Sequence, residues 1–81
     1  MTTIQLEHFK NEFLAYYSEV LLSAEIDENQ NLIAYVRPDI DFDETVAYLS
    51  DSILDTVNFE EHLDVRIYRY GENEYIELGI N

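Results

Sequence analysis

The chain has 81 residues, 47% of them hydrophobic and eleven of them aromatic (four Phe, seven Tyr), which suits one domain with its own core and argues against disorder. Eighteen Asp and Glu against four Lys and Arg leave a net charge of −14, with a sequence pI near 4.1, and four basic residues cannot form a patch that outweighs such a field, which argues against direct nucleic-acid binding. With no cysteine, disulfide frameworks and thiolate metal sites are excluded. No run approaches the roughly 18 apolar residues of a membrane span, and the N-terminus lacks the basic-then-apolar order of a secretory signal, so a soluble, cytoplasmic protein without membrane contact is the expectation.

Leu6, Phe9, Phe13, Tyr17 (or Tyr16), Val20 and Leu21 recur at three- and four-residue steps and predict a helix from about Ile4 to Leu21 with one apolar stripe. A hairpin follows, because "LSAEI" and "LIAYVR" flank the polar turn-forming cluster "DENQN". Pro38 ends the second strand, having no N–H for the ladder. Asp41 and Glu44 then stand in capping-box spacing, with Asp43 as a competing N-cap, and Val46, Leu49, Ile53 and Val57 form the buried stripe of a second helix.

Beyond "NFEEH" a second hairpin reads "LDVRIYRY", a turn at "GEN", then "EYIELGI". Val65, Ile67, Ile76, Leu78 and Ile80 alternate onto one side of it; Arg66, Tyr68, Tyr70, Tyr75 and Glu77 alternate onto the other. The fold class is α+β, in the order α-β-β-α-β-β: a four-stranded, mainly antiparallel sheet with two helices on one face. "AYYSEVLL" (Ala15 to Leu22) echoes "AYLSDSIL" (Ala47 to Leu54) at four of eight positions, which suggests an internal duplication.

The charge is densest in "PDIDFDE", Pro38 to Glu44. Asp39, Asp41 and Asp43 alternate as the early ligands of an EF-hand do, but the sixth position from Asp39 is Glu44 in place of glycine and the twelfth is Ser50 in place of glutamate. The cluster therefore supports only loose association with a divalent cation, and no dedicated metal site or cofactor is expected. Helix initiation accounts for Asp41, Asp43 and Glu44, since carboxylates in a first turn interact favourably with the helix dipole. It does not account for Glu44, Tyr48, Asp51 and Asp55, an acidic row opposite the apolar stripe in which Asp51 and Asp55 form a mutually repulsive i,i+4 pair. Glu12, Tyr16 and Glu19 repeat the spacing on the first helix.

Rows of this kind resemble a polyanion. Alternate residues of an extended segment lie about 6.6 Å apart and residues four apart on a helix about 6 Å apart. Duplex DNA carries one charge per roughly 1.7 Å, so fourteen charges match about 24 Å of duplex, against a globule about 30 Å across. A groove built of Lys and Arg to hold phosphates would capture such a body quickly and in a salt-dependent way. Charge alone selects poorly, so tyrosines are the expected anchors: Tyr16 and Tyr48 within the acidic rows, or Tyr68, Tyr70 and Tyr75 on the open sheet face, where the alternative role is to cover the rim of a small core.

Catalysis has little support. His8 and His62 are far apart in sequence and unaccompanied by cysteine or a phosphate loop, and a chain this short has little room for a cleft that drives carboxylate pKa values apart. The chain is therefore read as a non-enzyme. In size, charge and tyrosine content it resembles the small acidic inhibitors that mimic DNA: phage anti-restriction and anti-CRISPR proteins and inhibitors of uracil-DNA glycosylase. The resemblance rests on no shared motif and transfers no residues. It implies a basic nuclease, restriction or CRISPR effector as target in a bacterial host, blocked sterically by a monomer or homodimer. Two alternatives are an immunity or antitoxin protein bound beside a nuclease's groove, and an interaction module that uses the open sheet face.

Overall fold

The computed structural model describes residues 3–56 and 63–80, except for the side chains of 53–56 and 80. The expected contributions of Ile53, Val57, His62, Ile80 and the "NFEEH" segment lie outside the described residues. Helix α1 spans Thr3–Tyr16, strands β1 and β2 span Leu21–Ile26 and Leu32–Val36, helix α2 spans Phe42–Thr56, and strands β3 and β4 span Leu63–Arg69 and Tyr75–Ile80. The order α-β-β-α-β-β is the expected one, in the α+β class.

The strands form a single mixed sheet in the order β1-β2-β3-β4. β1 with β2 and β3 with β4 are antiparallel hairpins, while β2 and β3 pair in parallel, with Leu32 opposite Val65 and Val36 opposite Arg69. Parallel neighbours need a long crossover, and α2 supplies it. The centre of the sheet is thus a β-α-β unit inside a mostly antiparallel sheet.

Alternation along β2 and β3 sends Leu32, Ala34, Val36, Leu63, Val65 and Ile67 to the helices, where they are buried with Leu6, Phe9 and Phe13 of α1 and with Val46 and Leu49 of α2. Both helices therefore share one face of the sheet, because a two-layer packing needs only one apolar stripe from each helix. The residues between, Ile33, Tyr35, Arg66 and Tyr68, point to the other face and are half-buried.

The first helix is shorter than its apolar spacing predicts. α1 ends at Tyr16, and a turn over 17–20, with Val20 and Leu21 N–H groups both donating to the Tyr17 carbonyl at 3.0 and 2.9 Å, leads directly into β1. Leu21 is fully buried opposite Val36. Pairing in the sheet thus wins over continuation of the helix, and the Arg37 guanidinium closes the exit by donating from Nη2 to the Ser18 carbonyl at 3.0 Å. Between the two tyrosines left open by the sequence, Tyr17 enters the core with 2% exposure and Tyr16 stays outside with 60%.

The same correction bears on the sequence echo. Residues 15–22 run out of α1, through the turn and into β1, whereas residues 47–54 stay inside α2. Helix-then-hairpin occurs twice, but the matching octapeptides occupy different elements and do not mark equivalent places in two repeated units.

The turns follow their side chains. Asp27 Oδ1 accepts from the Asn29 and Asn31 amides at 2.9 and 2.8 Å, and Gln30 takes a positive φ of 62°, so "DENQN" closes the first hairpin as an Asx-type turn. Gly71, at φ 88°, supplies the left-handed residue that the second hairpin requires.

Candidate functional site

"PDIDFDE" does not form an extended row. Pro38, Asp39 and Ile40 turn the chain, and Asp41 caps α2: its Oδ1 accepts the Glu44 amide at 2.9 Å, and its carbonyl accepts the Thr45 hydroxyl at 2.7 Å and the Thr45 amide at 3.1 Å. The 6.6 Å spacing expected of Asp39, Asp41 and Asp43 is therefore not made. Proline starts the turn and the cap draws the backbone into the helix, leaving Asp39 at the turn, Asp43 and Glu44 in the first helical turn, and all four acids exposed. Asp41 rather than Asp43 is the cap.

Farther along α2, Tyr48 is 50% exposed, and Glu44 and Asp51 stand exposed on either side of it. Asp55 belongs to α2, but its side chain lies outside the described residues. The row expected on α1 is incomplete. Glu12 and Tyr16 are exposed on the helix, with His8 Nε2 3.0 Å from Glu12 Oε1, while Glu19 falls beyond the helix in the turn that leads to β1. The cause is the early exit of α1.

Tertiary packing brings the two helical tyrosines to one place. The buried ring of Tyr17 lies 4.8 Å from Tyr16 and 5.9 Å from Tyr48, both edge-on. Its hydroxyl hydrogen-bonds Ser52 Oγ of α2 at 2.8 Å. Tyr16 and Tyr48 thus flank one buried ring, and their centroids can be no farther apart than the sum of those two separations.

The four cations are all engaged elsewhere. Lys10 pairs with Glu7 at 2.9 Å, Arg66 with Glu77 at 3.6 Å and Arg69 with Glu72 at 3.7 Å, while Arg37 holds the Ser18 carbonyl. Arg69 lies on the helix side, over the Phe42 ring at 5.4 Å. Among the described residues, no cation comes within ion-pair distance of Asp39, Asp41, Asp43, Glu44 or Asp51. Glu19, Glu25, Asp27, Glu28 and Glu74 have no cation among the described residues within ion-pair distance either, so uncancelled charge occurs at the first hairpin and in the turns as well as on α2 and its lead-in. Among the described residues no three His, Asp or Glu side chains converge into a metal-binding group, and no described helix is long and apolar enough to cross a membrane.

The open face of the sheet carries a second feature. Tyr68 and Tyr75 face each other across β3 and β4 with centroids 5.1 Å apart, and Tyr35 of β2 lies 5.6 Å from Tyr68 and 6.2 Å from Tyr70. Arg66 lies over the Tyr75 ring at 5.1 Å, and the Tyr35 hydroxyl donates to Glu25 Oε1 at 2.8 Å. Tyr35 is the member that sequence reasoning missed. Its signal was available in "LIAYV", where it falls out of phase with Leu32, Ala34 and Val36 and so belongs to the face opposite the core.

Two groups here are shifted. Backbone donation from Asn31 holds the Asp27 carboxyl below its ordinary range, and the hydrogen bond to Glu25 holds the Tyr35 phenol above its own. Both are consequences of turn and sheet geometry.

Comparison of the chain with protein families, with curated proteins and with solved structures returns no match.

Proposed function

We propose that the chain is an acidic decoy: an inhibitor that occupies the nucleic-acid-binding groove of a basic enzyme, such as a nuclease or a restriction or CRISPR effector, in the cytoplasm of a bacterial host. The observation that supports this reading is the run of acids without a cationic partner on α2 and its lead-in. Lys10, Arg66 and Arg69 are paired with Glu7, Glu77 and Glu72, whereas Asp39 in the lead-in and Asp43, Glu44 and Asp51 on α2 stand exposed with no cation among the described residues within ion-pair distance. The molecule measures 33 × 27 × 20 Å, so its −14 charge is spread over a length comparable to the stretch of duplex with that charge. Clustered like charges destabilise the compact state, and a basic groove would relieve that repulsion. Tyr16 and Tyr48, anchored on Tyr17 beside the acids, supply the ordered aromatic contact that charge alone lacks. The mechanism is steric and needs no chemistry from the chain.

The test is capture from bacterial lysate on the immobilised chain at low ionic strength, followed by elution with a duplex oligonucleotide. The expected associate is a DNA-binding enzyme released by both duplex and salt. An associate that holds duplex and this chain together would exclude the decoy and favour an immunity-type protein bound beside the groove. A second reading, an interaction module, is favoured by the tyrosine band of the open sheet face and predicts binding that depends little on salt.

A further inference from the structure

We infer that the β1 end of the tyrosine band on the open sheet face is a docking site for an arginine side chain presented by a partner protein. The register of the sheet lays two rows across this face: Ser23, Tyr35, Tyr68 and Tyr75, and beside it Glu25, Ile33, Arg66 and Glu77. At the β4 end a ring, a carboxylate and a guanidinium meet. Arg66 lies over the Tyr75 ring, its Cζ 5.1 Å from the centroid, and its Nε stands 3.6 Å from Glu77 Oε2 without making a hydrogen bond. The chain's own cation thus shows what a ring and a carboxylate on this face can hold: a guanidinium stacked on one and attracted by the other.

The β1 end carries the same two groups without the cation. The Tyr35 hydroxyl donates to Glu25 Oε1 at 2.8 Å, and no cation among the described residues comes within ion-pair distance of Glu25. A carboxylate accepts at both oxygens, so Oε2 can take a further donor. Ser23 is the neighbour of Tyr35 on β1, so the row of rings ends at a small residue. Tyr70, 53% exposed, stands at 81° to the Tyr35 ring with centroids 6.2 Å apart and adds a second aromatic surface nearly perpendicular to the first.

Charge complementarity names the occupant. The face carries Glu25, Asp64 and Glu77 against the single Arg66, in the field of a −14 molecule, so it repels phosphates and favours a cation. Arginine suits the site better than lysine, because a planar guanidinium stacks on a ring while its fork donates to a carboxylate, and it is the more weakly hydrated cation. One such contact at an exposed ring changes affinity only about two- to fivefold. Free arginine is therefore held weakly, and the cation has to come on a protein segment whose neighbouring residues cover Tyr68 and Tyr75. The site lies on the face opposite α2 and does not rest on the decoy reading. A single cation contact also keeps the salt dependence small, as the interaction-module reading requires.

The experiment is an NMR titration of the isotope-labelled full chain at physiological salt with two end-blocked peptides of glycine and serine around one central residue, arginine in one and lysine in the other. Their equal charge makes their attraction to the acidic helix the same. The expected result is saturable shifts of the Ser23, Glu25, Tyr35 and Tyr70 amides, with the arginine peptide bound about two- to fivefold more tightly than the lysine peptide. Glu25→Gln keeps an acceptor for the Tyr35 hydroxyl and removes the charge; it and Tyr70→Ser should each weaken binding about twofold or more. Asp51→Asn on α2 should leave it unchanged. The amide spectrum of each variant reports its fold, and the wild-type titration needs no substitution. Shifts confined to α2, equal affinity for the two peptides, no saturable shift at the four residues, or a folded Glu25→Gln variant that binds as the wild type does would overturn the proposal.

Discussion

The hydroxyl of Tyr17 lies 2.8 Å from Oγ of Ser52, a hydrogen bond that ties the exit of α1 to the middle of α2 across thirty-five residues of chain. The Tyr17 ring is buried, with its centroid 5.1 Å from Phe13, 4.8 Å from Tyr16 and 5.9 Å from Tyr48. One residue therefore joins the core to the exposed tyrosines of the acidic face.

Tyr17→Phe keeps the ring and removes the bond. Urea unfolding should show a loss of about 0.5–1.5 kcal/mol. Tyr17→Ala should cost several times more, about 3–5 kcal/mol by analogy with other buried aromatics, and should also disorder Tyr16 and Tyr48. An unchanged midpoint for Tyr17→Phe would mean that Ser52 is satisfied equally well without the phenol.

Asp41 separates charge from structure. Its Oδ1 accepts the Glu44 amide at 2.9 Å, so Asp41→Ala should cost about 0.5–2 kcal/mol, whereas Asp41→Asn keeps the cap while removing a charge. Thermal melts of the two variants should diverge. If they coincide, the cap is not the dominant role of this side chain.

Uncancelled acids on α2 predict a melting temperature that rises with salt as their repulsion is screened. Asp51→Asn, outside the first turn and part of an i,i+4 like-charge pair with Asp55, should stabilise by a few tenths of a kcal/mol. Asp43→Asn and Glu44→Gln should show smaller gains or small losses, because each also forfeits a favourable dipole interaction of about 0.3–1 kcal/mol. All three should weaken capture by a basic partner. Flat melting between low and moderate ionic strength would show the acids to be compensated already.

At acid pH the first hairpin should loosen as Asp27 takes up its proton. Backbone donation from Asn31 lowers the Asp27 pKa below the model-peptide value of 3.8. The turn's stabilisation is therefore complete above that value and is lost as pH falls through the lower, folded-state value. NMR titration should show the Asp27 carboxyl protonating below the ordinary aspartate range, and Asp27→Asn should make the Asn29 and Asn31 amides insensitive to this transition.

At the alkaline end the sign reverses. The Glu25 carboxylate accepts the Tyr35 proton, which raises the phenol above 10.0; the stabilisation is intact below the unfolded value and is lost as pH rises through the folded one. Ultraviolet phenolate titration should reveal a late-ionising tyrosine that returns toward the ordinary value in Glu25→Gln. A titration curve unaltered by that change would assign the late phenol to another ring.

Local pattern settled much of this protein before any coordinates. Periodicity specified two helices with Leu6, Phe9, Phe13, Val46 and Leu49 inward, turn chemistry placed "DENQN" and Gly71 between strands, and period-two alternation divided Val65 and Ile67 from Arg66 and Tyr68, because each of these depends on neighbours within a few residues. The net charge is likewise a property of composition. What needed the tertiary structure was every choice between competing long-range partners. Leu21 fits a helical stripe and a strand equally well, and only its place opposite Val36 ends α1 at Tyr16, buries Tyr17 and moves Glu19 off the helix. Asp39, Asp41 and Asp43 alternate in sequence, yet the cap on α2 folds that alternation into a turn. Tyr35 joins Tyr68 and Tyr70 because β2 and β3 are parallel neighbours, a pairing between segments thirty residues apart that no local signal encodes.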